Sequence, residues 1–500
     1  MVFDRTFHPD EANQAFTTGR LLETGQYAYQ PQDHHGPTLY YAAAALQRAA
    51  GHNDTAALDG TLLRCTPLVF AVLALFFGFF ALKRLTKRLV PGLAFALLLG
   101  TSTFFAFFAT DFIQETLLAC FLTMMFWAGA GYIHPGTKWK TGTWALFFGT
   151  AAGLAFATKE TCLISFAAAA FAAAPFLVKR LSVNAVRART RDGILAVLGF
   201  FIVACILYSD FGRDFHGVYN AFIAAPLAYL GRAAGDAAAS TGANWHVHPW
   251  WQYVRWLYDG DPGLLAFFVL ASLAAWILHR RANETPFNAF RFAFSYALVT
   301  LAIYSSIPYK TPWCAVQIEV PLVLASVLGL VCAAEARPRF KWIFLAVLPA
   351  LFLAVNVPAL VRMNRDPDST ANPCNYAAAS PEVKELAATV AAALASATNH
   401  ESQTTGHEPP FIAVALPAAD TWPFPWYNRP HEPQTGYWTS FDDLRQIATA
   451  GVKPTVVIVP MEEGHLVQPF FPHLKHTRRF YMRPRIPERK VHGVRVRVFW

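Results

Sequence analysis

Residues 61–88 read TLLRCTPLVFAVLALFFGFFALKRLTKR. Between Arg64 and Lys83 no residue is charged. An uncharged apolar run of about 20 residues is what an α-helix needs to cross the hydrocarbon of a bilayer. Hydrocarbon offers the backbone no water, so the run must satisfy its own amides as a helix. It ends in Lys83, Arg84, Lys87 and Arg88, and short basic loops mark the cytoplasmic side of a membrane protein.

The pattern recurs along the chain. Apolar runs occupy 61–82, 89–108, 111–133, 143–159, 161–178, 192–210, 263–279, 289–307, 312–334 and 341–361, about ten spans in all. The 500 residues are 55% hydrophobic and 15% charged, too oily for an ordinary soluble enzyme of this size. The formal charge of +9 is not a nucleic-acid footprint, and no nucleic-acid partner is expected. Much of the excess falls in short loops: 83–88, Lys138 with Lys140, Lys179 to Arg191, His279 to Arg281 with Arg291, and Arg337, Arg339 and Lys341. An alternating path puts all of them on one side, the cytoplasmic one. A further basic group closes the chain, from Arg478 and Arg479 to Arg489 and Lys490. The seven cysteines show no zinc or disulfide spacing.

The expected architecture is therefore an α-helical polytopic protein of the plasma (inner) membrane with a small C-terminal extracytoplasmic α/β domain. Residues 1–60 form a first outer loop. Within it Leu39–Leu46 is too short to span and too oily to be solvated, and reads as an interfacial helix. Residues 61–362 form the bundle and 363–500 the outer domain. Nothing before residue 60 resembles a signal peptide, so a further span is expected ahead of Met1. In the tail, Ser380 and Pro381 start a helix to about 398, Ser440 with Asp443 starts another, and Phe411–Leu416, Thr455–Val459 and Val494–Val498 read as strands.

On this topology the ionisable residues that border the apolar runs all face outward: Asp10, Glu11, Asp111, Glu115, Lys159, Glu160 and Lys310. A charge at the centre of a span costs about 2.5–3.5 kcal/mol on insertion scales, so such residues mark function more often than chance allows. Asp10 and Glu11 follow Pro9, and a carboxylate held at the surface can accept a proton from an attacking hydroxyl. A solvated acid pair near a chain end is the plainer alternative. Asp111 and Glu115, four apart, would share one helix face. The helix dipole alone accounts for an acid at Asp111. Glu115 lies deeper, where a second carboxylate could hold a divalent cation or orient an acceptor. Lys159 could meet a phosphate, or snorkel beside Glu160. Lys310 lies between Pro308 and Pro312, in an outer turn. His34 and His35 precede Gly36 and Pro37. His246 and His248 stand among Trp245, Trp250 and Trp251, which reads better as an interfacial aromatic belt than as a metal site.

In order along the chain, His8-Pro9-Asp10-Glu11-Ala12, a helix after His35-Gly36-Pro37, Glu115 opening a span, and Gly153-Leu154-Ala155-Phe156-Ala157-Thr158-Lys159-Glu160 resemble the GT-C-fold membrane glycosyltransferases. These include the protein O-mannosyltransferases and lipid A aminoarabinose transferases. More narrowly, Tyr309-Lys310-Thr311-Pro312-Trp313, Trp422-Pro423-Phe424-Pro425-Trp426-Tyr427 and Tyr481-Met482-Arg483-Pro484 look like the flippase-activity-associated family of archaea and bacteria. The resemblance implies a hexosyl- or pentosyltransferase with a polyprenyl-phosphate-sugar donor and a lipid, glycan or protein acceptor. By it Asp10 is the base of an inverting displacement, aided by Glu11 and Glu115, and Lys159 and Lys310 bind the donor phosphate. Asp111, Glu115, His34 and His35 serve the acceptor or a divalent metal cation. Relatives often carry Arg where Asp111 stands. The alternative is a transporter or flippase-associated component that handles lipid-linked sugars without cleaving them. Transporters, however, place polar groups mid-membrane on repeated halves, and no repeat is visible here.

Overall fold

The opening run forms α3 (Gly60–Thr86) in a computed structural model of the chain. Asp59 caps it, its carboxylate accepting from the Thr61 and Leu62 amides at 2.6 and 3.0 Å. Residues 4–134, 139–177, 183–234, 246–278, 284–367, 369, 371–376, 378–401, 410–484 and 493–500 are described. Lys138, Lys179, Arg180, Asn244, Trp245, His279, Arg280, Arg281, Arg485, Arg489 and Lys490 lie outside them, as does the side chain of Arg187.

Ahead of α3 come α1 (Pro9–Thr24) and α2 (Thr38–Ala49). After it follow α4 (Leu89–Gly100), α5 (Thr103–Phe108), α6 (Glu115–Ile133), α7 (Thr141–Phe156), α8 (Cys162–Leu177) and α9 (Val183–Tyr208). Next are α10 (Phe215–Tyr219), α11 (Ala225–Ala234), α12 (Gln252–Gly260), α13 (Pro262–Leu278), α14 (Glu284–Ser306), α15 (Ala315–Ala336) and α16 (Leu348–Arg365). Among the described residues six helical segments are long and apolar enough to cross a membrane, or seven if α12 and α13, bent by 106°, count as one span. The apolar helices at Leu89–Gly100 and Cys162–Phe176 are shorter. α15 is the hub: 94% of its most apolar window is buried, as befits a helix that is hydrophobic all round.

Two expected spans are interrupted. The run 89–108 breaks between α4 and α5, where Thr101 and Ser102 turn their hydroxyls onto the Leu97 and Leu98 carbonyls. The new helix start is capped by acids from elsewhere: Asp261 accepts from the Thr103 amide at 2.7 Å and Glu319 from the Phe105 amide at 2.8 Å. The run 111–133 becomes helical only at Glu115. Asp111 therefore precedes the helix, and the expectation that Asp111 and Glu115 share one helix face is corrected.

Small residues set the closest helix contact. Gly149 and Gly153 of α7 lie one turn apart and face α9. A Cβ on Gly149 would come within 1.8 Å of the Ala196 carbonyl oxygen, and one on Gly153 within 2.7 Å of that of Phe200. Lipid gives helices little hydrophobic reason to associate, so such close backbone packing is a main source of their affinity.

The tail forms a five-stranded sheet in the order β2-β1-β3-β5-β4. Its strands are β1 (Ile412–Ala415), β2 (Thr435–Trp438), β3 (Val456–Pro460), β4 (Thr477–Arg483) and β5 (Val494–Phe499). β1 runs parallel to β2 and β3, and β5 antiparallel to β3 and β4. One face is covered by the helix Glu382–Glu401 through Val383, Leu386 and Val390. The other packs Val457 and Val459 on Leu444 of the helix Phe441–Thr449, which Ser440 caps as its sequence foretells. The three expected strands are present; β2 and β4 are additional.

Replacing Gly149 by Leu should cost about 1–3 kcal/mol, read as a lower thermal midpoint in detergent. A similar change at Gly129, where nothing lies within 4 Å of the added carbon, should leave the midpoint near that of the wild type.

Candidate active site

The site begins at the first turn of α1. His8 is its N-cap and Pro9 its first residue, where a missing amide hydrogen costs nothing. The amide of Asp10 donates to His8 Nδ1 at 3.1 Å. The ring proton therefore lies on Nε2, which donates to the Tyr376 carbonyl at 2.8 Å. The His8 amide in turn donates to Glu11 at 2.9 Å, closing a capping box.

Glu11 is 1% exposed and fully engaged. It accepts from Arg64 Nε at 2.8 Å and Nη2 at 2.7 Å, and from the Phe112 amide at 2.8 Å. Burial alone would raise its pKa; Arg64 and the amides outweigh that and hold it below the usual 4.5. Asp10, one residue earlier, differs in every respect. Its side chain is 50% exposed, and its nearest ionisable neighbour is His8 at 3.9 Å.

Both acids line a shallow open cleft of about 40 Å³, together with Arg5, Arg64, Asp111 and Trp313. Arg5 Nη2 bonds Asp111 at 2.5 Å and Thr110 Oγ1 at 2.6 Å, and its guanidinium lies 4.1 Å from the Phe107 ring centroid. Its Nε and Nη1 have no hydrogen-bond partner among the described residues. Burial drives the Asp111 carboxyl from 3.8 up to about 6; Arg5 opposes the rise and the Glu11 charge adds to it.

The remaining candidates fall into separate groups. Glu115 and Lys159 form a buried ion pair with each other. Burial would lower the Lys159 pKa, but Glu115 raises it. His35 Nδ1 meets Glu160 at 2.8 Å and the Tyr229 hydroxyl at 2.7 Å, while Tyr29 bonds the other Glu160 oxygen. Against the upward push of burial, His35 and Tyr29 hold Glu160 down at about 2. His34 turns away to Asp33, at 3.2 Å. Lys310 is 1% exposed and donates to the Ile307 and His248 carbonyls; burial brings its pKa down to about 8. The structure thus gathers Asp10, Glu11 and Asp111 in one cleft and sets Glu115–Lys159, His34, His35 and Lys310 in packed positions around it. Among the described residues no three His, Cys, Asp or Glu side chains group as a metal site. Asp111 and Glu115 are each paired with a cation of their own, Arg5 and Lys159.

Several contributors escaped sequence reading. Arg64 carried a signal, a guanidinium four residues into an apolar helix. Tyr376 carried none, yet its hydroxyl lies 3.1 Å from His246 Nδ1 and 3.2 Å from His248 Nε2. Burial drops the His246 pKa to about 4, although the Asp10 charge pulls the other way. Arg483, from β4, bonds the Ala419 carbonyl at 3.0 Å and lies 3.5 Å from Asp420, within the electrostatic reach of Asp10.

No protein-family profile matches the sequence, and no curated protein does. Solved structures do match. ArnT from Cupriavidus metallidurans, solved bound to undecaprenyl phosphate, aligns over 99% of this chain and 94% of its own, with a TM-score of 0.60 and 13% identity. The Archaeoglobus fulgidus oligosaccharyltransferase in complex with Zn and sulfate aligns over 92% of this chain and 65% of its own, with a TM-score of 0.54 and 12% identity. Its apo form gives a TM-score of 0.52 and 11% identity over 92% and 66% of the two chains. Both proteins are GT-C-fold glycosyltransferases. The fold here is GT-C. At such identities the likeness establishes the GT-C architecture of an integral membrane protein and leaves the chemistry to the residues.

Two outcomes follow from the charge pairs. Glu11→Gln leaves Arg64 buried and uncompensated, which should cost about 3–5 kcal/mol in unfolding measurements near neutral pH. Because the Glu11 pKa is depressed on folding, its contribution is present above pH 4.5 and fades as pH falls through the folded value. Asp111 has the opposite sign: its pKa rises on folding, so stability falls as pH climbs from 3.8 to about 6. Asp111→Asn should remove that fall, seen as a flatter profile of thermal midpoint against pH over this window.

Proposed function

We propose that this chain is a GT-C-type glycosyltransferase that moves a sugar from a polyprenyl-phosphate donor to an acceptor hydroxyl at the extracytoplasmic face, with inversion. The observation that carries the proposal is Asp10, half exposed at the mouth of a cleft whose other two carboxylates are already paired with arginines. A general base needs a free carboxylate within reach of the hydroxyl it deprotonates. Glu11 and Asp111 are not free; among the described residues no arginine or lysine is ion-paired with Asp10.

In the proposed reaction the acceptor oxygen gives its proton to Asp10 and bonds to the anomeric carbon. The carbon–oxygen bond to phosphate breaks from the opposite side, and its electron pair leaves with the phosphate. A departing phosphate calls for positive charge rather than an acid. Arg5, with two nitrogens lacking partners among the described residues and lining the cleft, is the cation best placed to supply it. Lys159 and Lys310 would reach a phosphate only by giving up Glu115 or their carbonyl partners, and in this reading they fix the walls. The neighbour solved with undecaprenyl phosphate supports a lipid-linked donor, and a sugar, glycan, lipid or protein hydroxyl suits the acceptor role.

Asp10→Asn should lower transfer from a polyprenyl-phosphate sugar by about 10²–10⁴-fold, with donor binding retained. Transfer at the wild-type rate would sink the assignment of Asp10. Tight donor binding by the wild type with no transfer to any acceptor would favour the non-catalytic handling of lipid-linked sugars instead.

A further inference from the structure

At the basic end of the bundle, remote from the cleft in sequence and in lining, the α3–α4 turn meets the α15–α16 junction. Arg88 Nη2 lies 3.6 Å from Glu335. Between them and the next turn opens a groove of about 490 Å³, lined by Arg88, Val90, Glu335, Lys341, Trp342 and Leu345 among others. Its charged lining is Arg88 and Lys341 against Glu335, and the two segments that form it carry five further cations, Lys83, Arg84, Lys87, Arg337 and Arg339, and no other acid. Glu335 is largely buried against Arg88, whereas Arg88 itself is 54% exposed.

Three further features suit a phosphate with a hydrocarbon tail. α4 begins at Arg88 with no side chain capping its free amides, and an uncapped helix start favours an anion. The Lys341 ammonium stands 5.3 Å from the Trp342 ring centroid, and tryptophan prefers the headgroup level of a bilayer. The walls run on into apolar surface: Leu89, Val90, Phe340, Trp342 and Ile343 are all exposed. A soluble phosphate would make no use of that surface.

We propose that this groove holds an anionic phospholipid of the adjoining leaflet, its phosphate between Arg88 and Lys341 and its acyl chains along Val90, Trp342 and Leu345. The proposal is independent of the transfer chemistry at the other end. Each Lys or Arg near a membrane surface strengthens binding of an anionic lipid by roughly fivefold.

The test uses the full chain in detergent, with native mass spectrometry counting retained phosphatidylglycerol and phosphatidylcholine of matched chains. The wild type should retain phosphatidylglycerol preferentially. Arg88→Gln with Lys341→Gln should reduce that preference by roughly tenfold or more, and Arg88→Lys with Lys341→Arg should keep it. Equal retention of the two lipids by the wild type, or an unchanged preference in the neutralised variant, overturns the proposal. Displacement of the lipid by glycerol phosphate overturns it as well, since the groove would then be a soluble-phosphate site.

Discussion

The contact between Glu11 and Arg64 ties together three parts of the chain that are distant in sequence. Glu11 belongs to the first turn of α1, Arg64 to the N-terminal end of α3, and the Phe112 amide, held by the same carboxylate, to the turn before α6. A buried pair of this kind adds little net stability, because desolvating both ions offsets their attraction. Its consequence is geometric. With Arg64 and Phe112 fixed, α1 can start in one orientation only, and Asp10 is presented to the cleft by that start.

The C-terminal domain completes the same arrangement from above. Phe7 is sandwiched between the Arg64 guanidinium, 4.4 Å from its centroid, and the Trp426 ring, stacked at 4.4 Å. Its amide donates to the Tyr427 hydroxyl at 2.8 Å. Lys384 bonds the Asp4 carbonyl at 2.5 Å, and Arg429 reaches the Leu58 carbonyl at 3.0 Å. The aromatic-proline stretch 422–427 therefore spends its rings on clamping the segment that leads into the acid pair. Stacking on a sugar is not required to explain it.

How much of this could be read in advance depended on the range of the interaction. The start of α1 was legible, since Pro at the first position and Glu at the third are local signals. So were the apolar runs, the Ser440 cap and the alternating strand at Val494–Val498. The break between α4 and α5 was not, because the acids that cap α5, Asp261 and Glu319, come from distant helices. The helical pairing of Asp111 with Glu115 failed because the turn before α6 is held by partners distant in sequence, Glu11 on the Phe112 amide and Arg5 on Asp111. β4 escaped because Arg478, Arg479 and Arg483 read as a charged patch, although Phe480 and Met482 point into the core between them. Within the site, the residue types were legible and their partners were not.

One principle orders the charges at this end of the bundle. Low-dielectric surroundings make an unpaired ion expensive, and the structure answers with dedicated partners: Glu11 with Arg64, Asp111 with Arg5, Glu115 with Lys159, Glu160 with His35. Each pair locks two elements together and commits its carboxylate, while Arg5 keeps two nitrogens beyond those that its bond to Asp111 uses. Such a frame does not need to reorganise when charge moves within it, which is the condition under which fixed dipoles and ions stabilise a transition state. Asp10 stands out because it is left half in water with no cation of its own. A rigid, internally neutralised surround with one uncommitted carboxylate at its mouth is what a proton-accepting step requires, and it is a more specific statement than the number of acids in the cleft.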